Sequence, residues 1–289
     1  MVYNKTWALL RRYSQSARFR QRRGRRDKGQ GIAFLKIMGE RSGYQRPFSK
    51  GDLWARNLWH TYLFPDGTNT QFLDTDFLAA YTTIRGQEHL EAALASGRGA
   101  LIVSAHFCFT PLIFQWVSRV MRREAVQINL QFTEETAEQT IQYARTLRAA
   151  ARTLALNGVV VTLPDGYQGR QSIQRNFFGV TRPFYLGTWE LAVLTRAAPL
   201  PAWTSIGLDG HLTIEFFPPF EPPPAASSGE SVEYFLTSYI DWLEALLCRA
   251  ADCYKYDHIR FYMQLRNGKN PWGNKPATGL RRIFPLMKR

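Results

Sequence analysis

Cysteine is scarce in this 289-residue chain: there are three, Cys108, Cys248 and Cys253, and no two stand at CxxC spacing. That excludes a disulfide framework and fits a reduced compartment. No run approaches the roughly 18 apolar residues of a membrane-spanning helix. The basic N-terminus has no apolar stretch behind it, so no secretory signal is expected. Walker A, GxGxxG and HExxH motifs are missing, as is any Cys/His cluster, which removes the usual sequence grounds for nucleotide or metal chemistry. Charged residues make up only 21% of the chain, against 14% aromatic and 45% hydrophobic, and this balance excludes global disorder. A cytoplasmic protein is expected, soluble or peripheral on the inner face of the membrane.

What charge there is sits at the ends. The formal net charge is +14. Residues 1–50 hold 14 Lys and Arg against 2 acids, residues 250–289 hold 9 against 2, and the middle has a net charge of −5. The expected organisation is a basic N-terminal arm and lead-in over 1–50, followed by one domain over 51–289. The run Arg18, Arg20, Arg22, Arg23, Arg25, Arg26 and Lys28 would repel itself in a core, so it reads as a solvated arm. Ahead of it, Trp7, Leu9, Leu10 and Tyr13 alternate with Lys5, Arg11 and Arg12, the composition of a short interfacial helix on anionic lipid. A solvated tail, a contact with a membrane or an acidic protein, and nucleic-acid binding all remain open. The last has no zinc spacing, RNP-like segment or recognition helix behind it.

The periodicity is irregular and aromatic-rich over 51–82, where helical pieces surround the turn Phe64-Pro65-Asp66-Gly67. It then becomes regular. A short helix over Glu88 to Ala95 is closed by Ser96-Gly97-Arg98-Gly99, and Ala100 to Ser104 is a continuous apolar run, the mark of a strand buried on both faces. Leu112 to Arg123 reads as helix, Ala125 to Leu130 as strand, Thr133 to Leu156 as a long helix closed by Asn157-Gly158, and Val159 to Leu163 as a third buried strand. A helix at Leu186 to Thr195, strands at Leu200–Ile206 and Leu212–Phe217, a proline-rich connector and a final amphipathic helix through Val232, Tyr239 and Leu247 complete the pattern. Buried strands alternating with helices predict an α/β domain with a mostly parallel central sheet flanked by helices. Ligands in such sheets lie beyond the carboxyl ends of the strands. Two of those ends carry His106 and Asp165.

An imidazole at a strand mouth can take a proton from an attacking hydroxyl, or it can simply cap the strand with hydrogen bonds. Cys108, two residues on, is either a small buried hydrophobe or a thiol that carries an acyl group. Glu190 lies between Trp189 and Leu191 and faces either solvent or the cleft. Asp165 precedes Gly166 and is either a turn residue or a cleft carboxylate.

Several segments fall in a telling order: Ile84-Arg85-Gly86-Gln87-Glu88-His89-Leu90, Gly97 to Phe107 with Ser104-Ala105-His106-Phe107, Leu163-Pro164-Asp165, Phe177-Phe178-Gly179, Arg182-Pro183, Gly187-Thr188-Trp189 and Ile259-Arg260-Phe261-Tyr262. In this order and spacing the chain, over roughly residues 84–266, resembles the lipid A late acyltransferases, the lauroyl and myristoyl transferases within the lysophospholipid acyltransferase superfamily. The resemblance implies that an acyl group passes from an acyl-carrier-protein or coenzyme A thioester to a hydroxyl or amine. His106 would be the general base, and no metal or redox cofactor would be needed. It also implies that the region around Phe177, Phe178 and Gly179 lines the cleft, where Arg170, Arg175 and Arg182 would hold a phosphate of the substrate. Acidic carrier protein and anionic membrane are the expected partners of the basic flanks.

The family's catalytic motif is a histidine followed by four residues and then Asp or Glu. Here that position is Pro111. Either another carboxylate replaces the acid, with Asp165 preferred over Glu190, or the acceptor is reactive enough without one, or the chain no longer catalyses transfer and binds an acyl chain or carrier protein instead. Acyl transfer through Cys108 is a further alternative.

Overall fold

In the computed structural model of the chain, the described residues are 25–42, 50–63, 75–128, 137–166, 171–207 and 211–269, with single residues at 5, 8, 9, 12, 13 and 16. The apolar runs become the central strands. β2 (Ala100–Val103) and β4 (Val159–Thr162) are buried at every position, as strands covered on both faces must be, and they pair in parallel, Ala100 with Val159 and Val103 with Thr162. β1 (Thr82–Arg85), β3 (Ala125–Gln127), β7 (Ala198–Ile206) and β8 (Leu212–Phe216) complete a six-stranded sheet in the order β1-β8-β7-β2-β4-β3. Only the β7–β8 pair is antiparallel. The α/β class and mostly parallel sheet are therefore as expected.

Strand alternation splits the core in two. Leu101, Val103 and Val160 point into one layer, while Ala100, Ile102, Val159 and Val161 point into the other. α3 (Thr75–Tyr81), α4 (Gln87–Ala95) and α5 (Pro111–Arg119) cover the second layer. Gly86 joins β1 to α4 at φ 65, where a Cβ would collide with the Phe216 carbonyl oxygen, so the tight strand-to-helix turn requires glycine. The first layer holds α6 (Ala137–Ala155), α7 (Gly187–Thr195), α8 (Ser228–Ala250) and, beyond a 3₁₀ turn at Ala251–Cys253, α9 (Tyr256–Arg266). α8 starts at a capping box: the Glu230 N–H donates to Ser227 Oγ at 3.3 Å, and the Ser227 N–H donates to Glu230 Oε2 at 2.7 Å.

The structure departs from or adds to the sequence pattern in two places. Residues 29–41 are not a lead-in ahead of the domain. They belong to α1 (Arg25–Ser42), which packs on α8 and α9 and buries Phe34, Leu35 and Met38 in the first core layer. Apolar residues at this helical spacing outweigh the flanking charge. Of the stretch before it, Lys5, Ala8, Leu9, Arg12 and Tyr13 are helical, with Leu9 64% exposed and Tyr13 against the core. Trp7, Leu10, Arg11 and Arg18 to Arg23 lie outside the described residues, as do the turn at 64–67 and the basic segment 270–289. Second, residues 172–185 form an antiparallel hairpin, β5 (Ser172–Phe177) and β6 (Val180–Tyr185). Its two-residue turn has positive φ at both Phe178 (50) and Gly179 (76), the pairing that suits the twist of a hairpin.

Candidate active site

His106 follows β2 in a loop that is tied from four directions. The Thr110 hydroxyl donates to the Ala105 carbonyl at 2.6 Å, and the Tyr239 hydroxyl of α8 donates to the Ser104 carbonyl at 2.8 Å. The Lys255 N–H donates to the His106 carbonyl at 2.8 Å, and the Cys108 N–H to the Cys253 carbonyl at 2.9 Å. A strap at 252–256 thus runs alongside the loop as an extra strand-like partner, with Phe107 bridged to Tyr254. The buried polar face of α2 (Lys50–Leu63) clamps the strap from outside. Asn57 accepts the Tyr256 N–H at 2.8 Å and donates to the Tyr254 carbonyl at 3.4 Å, and Arg56 forms an ion pair with Asp252.

Asp165 comes from the end of β4 and meets His106 directly. Its Oδ1 lies 2.7 Å from His106 Nδ1, and its Oδ2 accepts the His106 backbone N–H at 3.0 Å and the Tyr254 hydroxyl at 2.8 Å. The carboxyl group is fully buried. Burial alone would push its pKa up, but the His106 imidazole and its hydrogen bonds outweigh that and hold it well below the usual carboxylate range. An ionised carboxylate only accepts hydrogen bonds, so His106 Nδ1 carries the proton and the lone pair sits on Nε2. The His106 side chain is 26% exposed while Asp165 is wholly covered, so part of the imidazole reaches solvent although its carboxylate partner does not. Pro111, where the motif acid would stand, opens α5 instead, a position that suits proline because its missing N–H is not needed there.

Beneath His106 lies His258 of α9, which sequence reasoning did not single out. The two imidazoles stack with centroids 3.7 Å apart and planes 19° apart, and His258 Nδ1 is 3.6 Å from Asp165 Oδ2. Burial, and then the neighbouring His106, hold His258 well below the normal imidazole range, so it is neutral. The available signal was slight: the chain has five histidines, and this one directly precedes the Ile259-Arg260-Phe261-Tyr262 segment. His106, Asp165 and His258 offer ligand atoms within 4.8 Å of one another. Their arrangement does not suit a metal, because stacked rings keep their in-plane lone pairs in separate parallel planes instead of converging on one ion.

The remaining candidate residues have other partners. Cys108 is fully buried with its Sγ 3.9 Å from the Tyr254 carbonyl, and burial pushes its thiol well above the usual range, the opposite of an activated nucleophile. Glu190, half-buried in the first turn of α7, has its pKa raised by burial, and no hydrogen bond or ion pair links it to His106 among the described residues. Phe177 and Phe178 do not line a cleft. They are buried, packed edge to face at 4.9 Å, because the hairpin turns its apolar side into the core. Gly179 completes the hairpin turn, its N–H donating to Asn176 Oδ1 at 2.8 Å. Arg175 is ion-paired with Glu233 of α8. Arg182 is no phosphate-holding loop residue: it is 1% exposed, sits over the Phe184 ring at 4.5 Å, and donates to the Asp165 carbonyl at 2.8 Å. It supports the Asp165-Gly166 turn from behind. Arg170 lies outside the described residues.

The sheet's other end is more open. A cavity of about 900 Å³ lies at the amino ends of β2, β3 and β4 and the carboxyl end of the oppositely running β1, lined by Leu78, Ile84, Gly97, Trp116, Arg123 and Asn157. No helix among the described residues is long and apolar enough to cross a membrane.

No family model matches the chain, and no curated protein sequence matches it. Six solved chains do. Among them is the 1-acyl-sn-glycerophosphate (LPA) acyltransferase PlsC from Thermotoga maritima, at 16% identity and a TM-score of 0.35, with 84% of this chain and 99% of that chain covered. A superposition that loose carries no argument about activity, which rests on the residues themselves.

Proposed function

We propose that the chain is an acyltransferase of the lysophospholipid acyltransferase superfamily, moving an acyl group from a carrier-protein or coenzyme A thioester to a hydroxyl or amine. The observation that carries this reading is the His106–Asp165 pair: a fully buried carboxylate on Nδ1 of a partly exposed imidazole, at the carboxyl end of a buried parallel strand. The acceptor O–H or N–H loses its proton to Nε2 as the oxygen or nitrogen attacks the thioester carbon. Asp165 stabilises the imidazolium. The tetrahedral intermediate collapses by breaking the C–S bond, and the imidazolium returns its proton to the leaving thiolate. Ester or amide and free thiol are the products, and no electrons change hands, so the step calls for neither metal nor redox cofactor.

The alternative of a lapsed catalyst rests on Pro111, and the carboxylate that arrives from β4 beside His106 favours the catalytic reading. The basic flanks suit an acidic carrier protein or the anionic inner face of the membrane, whereas nothing in the sequence favours nucleic acid. The deciding experiment is mass spectrometry after incubation with acyl-carrier and acyl-CoA donors and a panel of hydroxyl and amine acceptors. Acceptor acylation that disappears in His106→Gln supports the reading. An acylated Cys108 peptide, or an unchanged donor under all conditions, overturns it.

A further inference from the structure

His258 takes part in none of these steps, yet its ring covers one face of His106. A single in-plane hydrogen bond fixes where the Nδ1 edge of His106 points but leaves the ring free to roll about the N–H···O axis. The bond to Asp165 Oδ1 at 2.7 Å is of that kind. A flat partner at 3.7 Å with planes 19° apart removes the roll. It also does more. The face of a neutral aromatic ring carries excess electron density and attracts a cation laid over it, most strongly where water is excluded. His106 becomes such a cation when Nε2 accepts a proton.

The surroundings keep His258 suited to this task. It is buried, with His106, Asp165, Arg182 and Lys255 as the charged or titratable groups that act on it. A second positive charge under His106 is disfavoured by burial and by three of these four neighbours, and the imidazole stays neutral. Its Nδ1 edge lies 3.6 Å from Asp165 Oδ2, so a polar edge meets the carboxylate while the apolar face meets the base.

We propose that His258 is a positioning residue whose neutral ring fixes the tilt of His106 and backs the charge that His106 acquires during transfer. The second half of this inference rests on His106 being the base. The first half does not, and it can be read without substrate.

The test uses the full chain with ¹⁵N-labelled histidine. The Nδ1 proton of His106, held between a buried carboxylate and a stacked ring, gives a downfield resonance in slow exchange with water, assigned by its absence in His106→Gln. His258→Phe keeps a flat neutral face, and His258→Leu keeps apolar bulk without one. The resonance is expected in the wild type and in His258→Phe and is expected to vanish by exchange in His258→Leu. In parallel, kcat falls by roughly 3- to 30-fold in the leucine variant with KM unchanged, and phenylalanine restores it. Should the leucine variant fail to fold, His258→Met serves in its place. A resonance kept equally, or lost equally, in the phenylalanine and aliphatic variants overturns the proposal. The expected resonance pattern in a protein that transfers no acyl group overturns the base assignment and leaves the support standing.

Discussion

The two ends of the central sheet differ in kind. At the amino end lies a cavity of about 900 Å³ whose polar lining consists of scattered side chains such as Gln87, Glu91 and Arg123. At the carboxyl end, the space around His106 is taken up by the Asp165 carboxylate, the Tyr254 hydroxyl and the His258 ring. Volume and chemistry are therefore separated in this molecule. Among the described residues, the amino end has room but no close cluster of His, Cys, Asp or Glu, while the carboxyl end has a carboxylate that four polar groups approach, two of them from His106 itself. What marks a reactive centre is convergence of donors and acceptors from distant segments, and room can be supplied by substrate-facing surface.

The sharpest way to break this contrast is Asp165→Asn. The amide cannot hold the Nδ1 proton against an imidazolium, so single-turnover transfer is expected to fall by about 10²–10⁴-fold. Wild-type rates in this variant would make the carboxyl end no more chemical than the amino end. A second approach is pH. His258 and His60 are buried with pKa values held down, His60 to about 3, by burial and then by neighbouring positive groups. Unfolding lets both take up protons below about pH 6.5, so stability should drop as pH falls from there toward their folded values, by up to about 1.4 kcal/mol per pH unit per histidine. Asp165 has the same sign: its depressed pKa contributes stability above about pH 4, the unfolded value, and that contribution is lost as pH falls further. Denaturant midpoints across pH 7 to 4 test this, and the slope should flatten in His60→Asn.

Tyr254→Phe should have a smaller effect. It removes one of the two hydrogen bonds to Oδ2, at a cost of about 1.5–3 kcal/mol for a bond to a charged acceptor, read as a lower melting temperature with a modest loss of rate. The smallest effect belongs to the other end of the sheet. Gln87 and Glu91 are exposed and hydrogen-bonded to each other at 2.7 Å, so the double alanine variant should leave transfer within about twofold of wild type. A large loss there would show that the cavity takes part in the reaction.

The elements that could be read in the sequence are those whose pattern depends on their own residues. β2 is Ala-Leu-Ile-Val and β4 is three valines closed by Thr162, and their ends place His106 and Asp165 side by side because parallel strands finish on the same edge. The hairpin was hidden because its inward side includes Arg182 between Val180 and Phe184, so a buried arginine broke the alternation that would have revealed a strand. Its turn carries phenylalanine at positive φ instead of asparagine or glycine, held by the Glu244 carboxylate on its N–H and by the Tyr262 hydroxyl at 3.1 Å on its carbonyl. α1 was hidden by its flanking arginines and lysine. Tyr254 and His258 depend on a strap and a helix far along the chain, and no local pattern records where such a segment will cross.

The position of that strap has a consequence for how the protein is made. All six strands of the sheet are complete by Phe216, yet the groups that finish the site, Tyr239, Tyr254, Lys255 and His258, all emerge from the ribosome later. α1, synthesised before the sheet, waits for α8 and α9 before its Phe34, Leu35 and Met38 can be covered. A nascent chain halted after β8 would own the scaffold and both partners of the dyad but neither the clamp on the His106 loop nor the ring beneath the base. The geometry around His106 is thus complete only once α9 has been made.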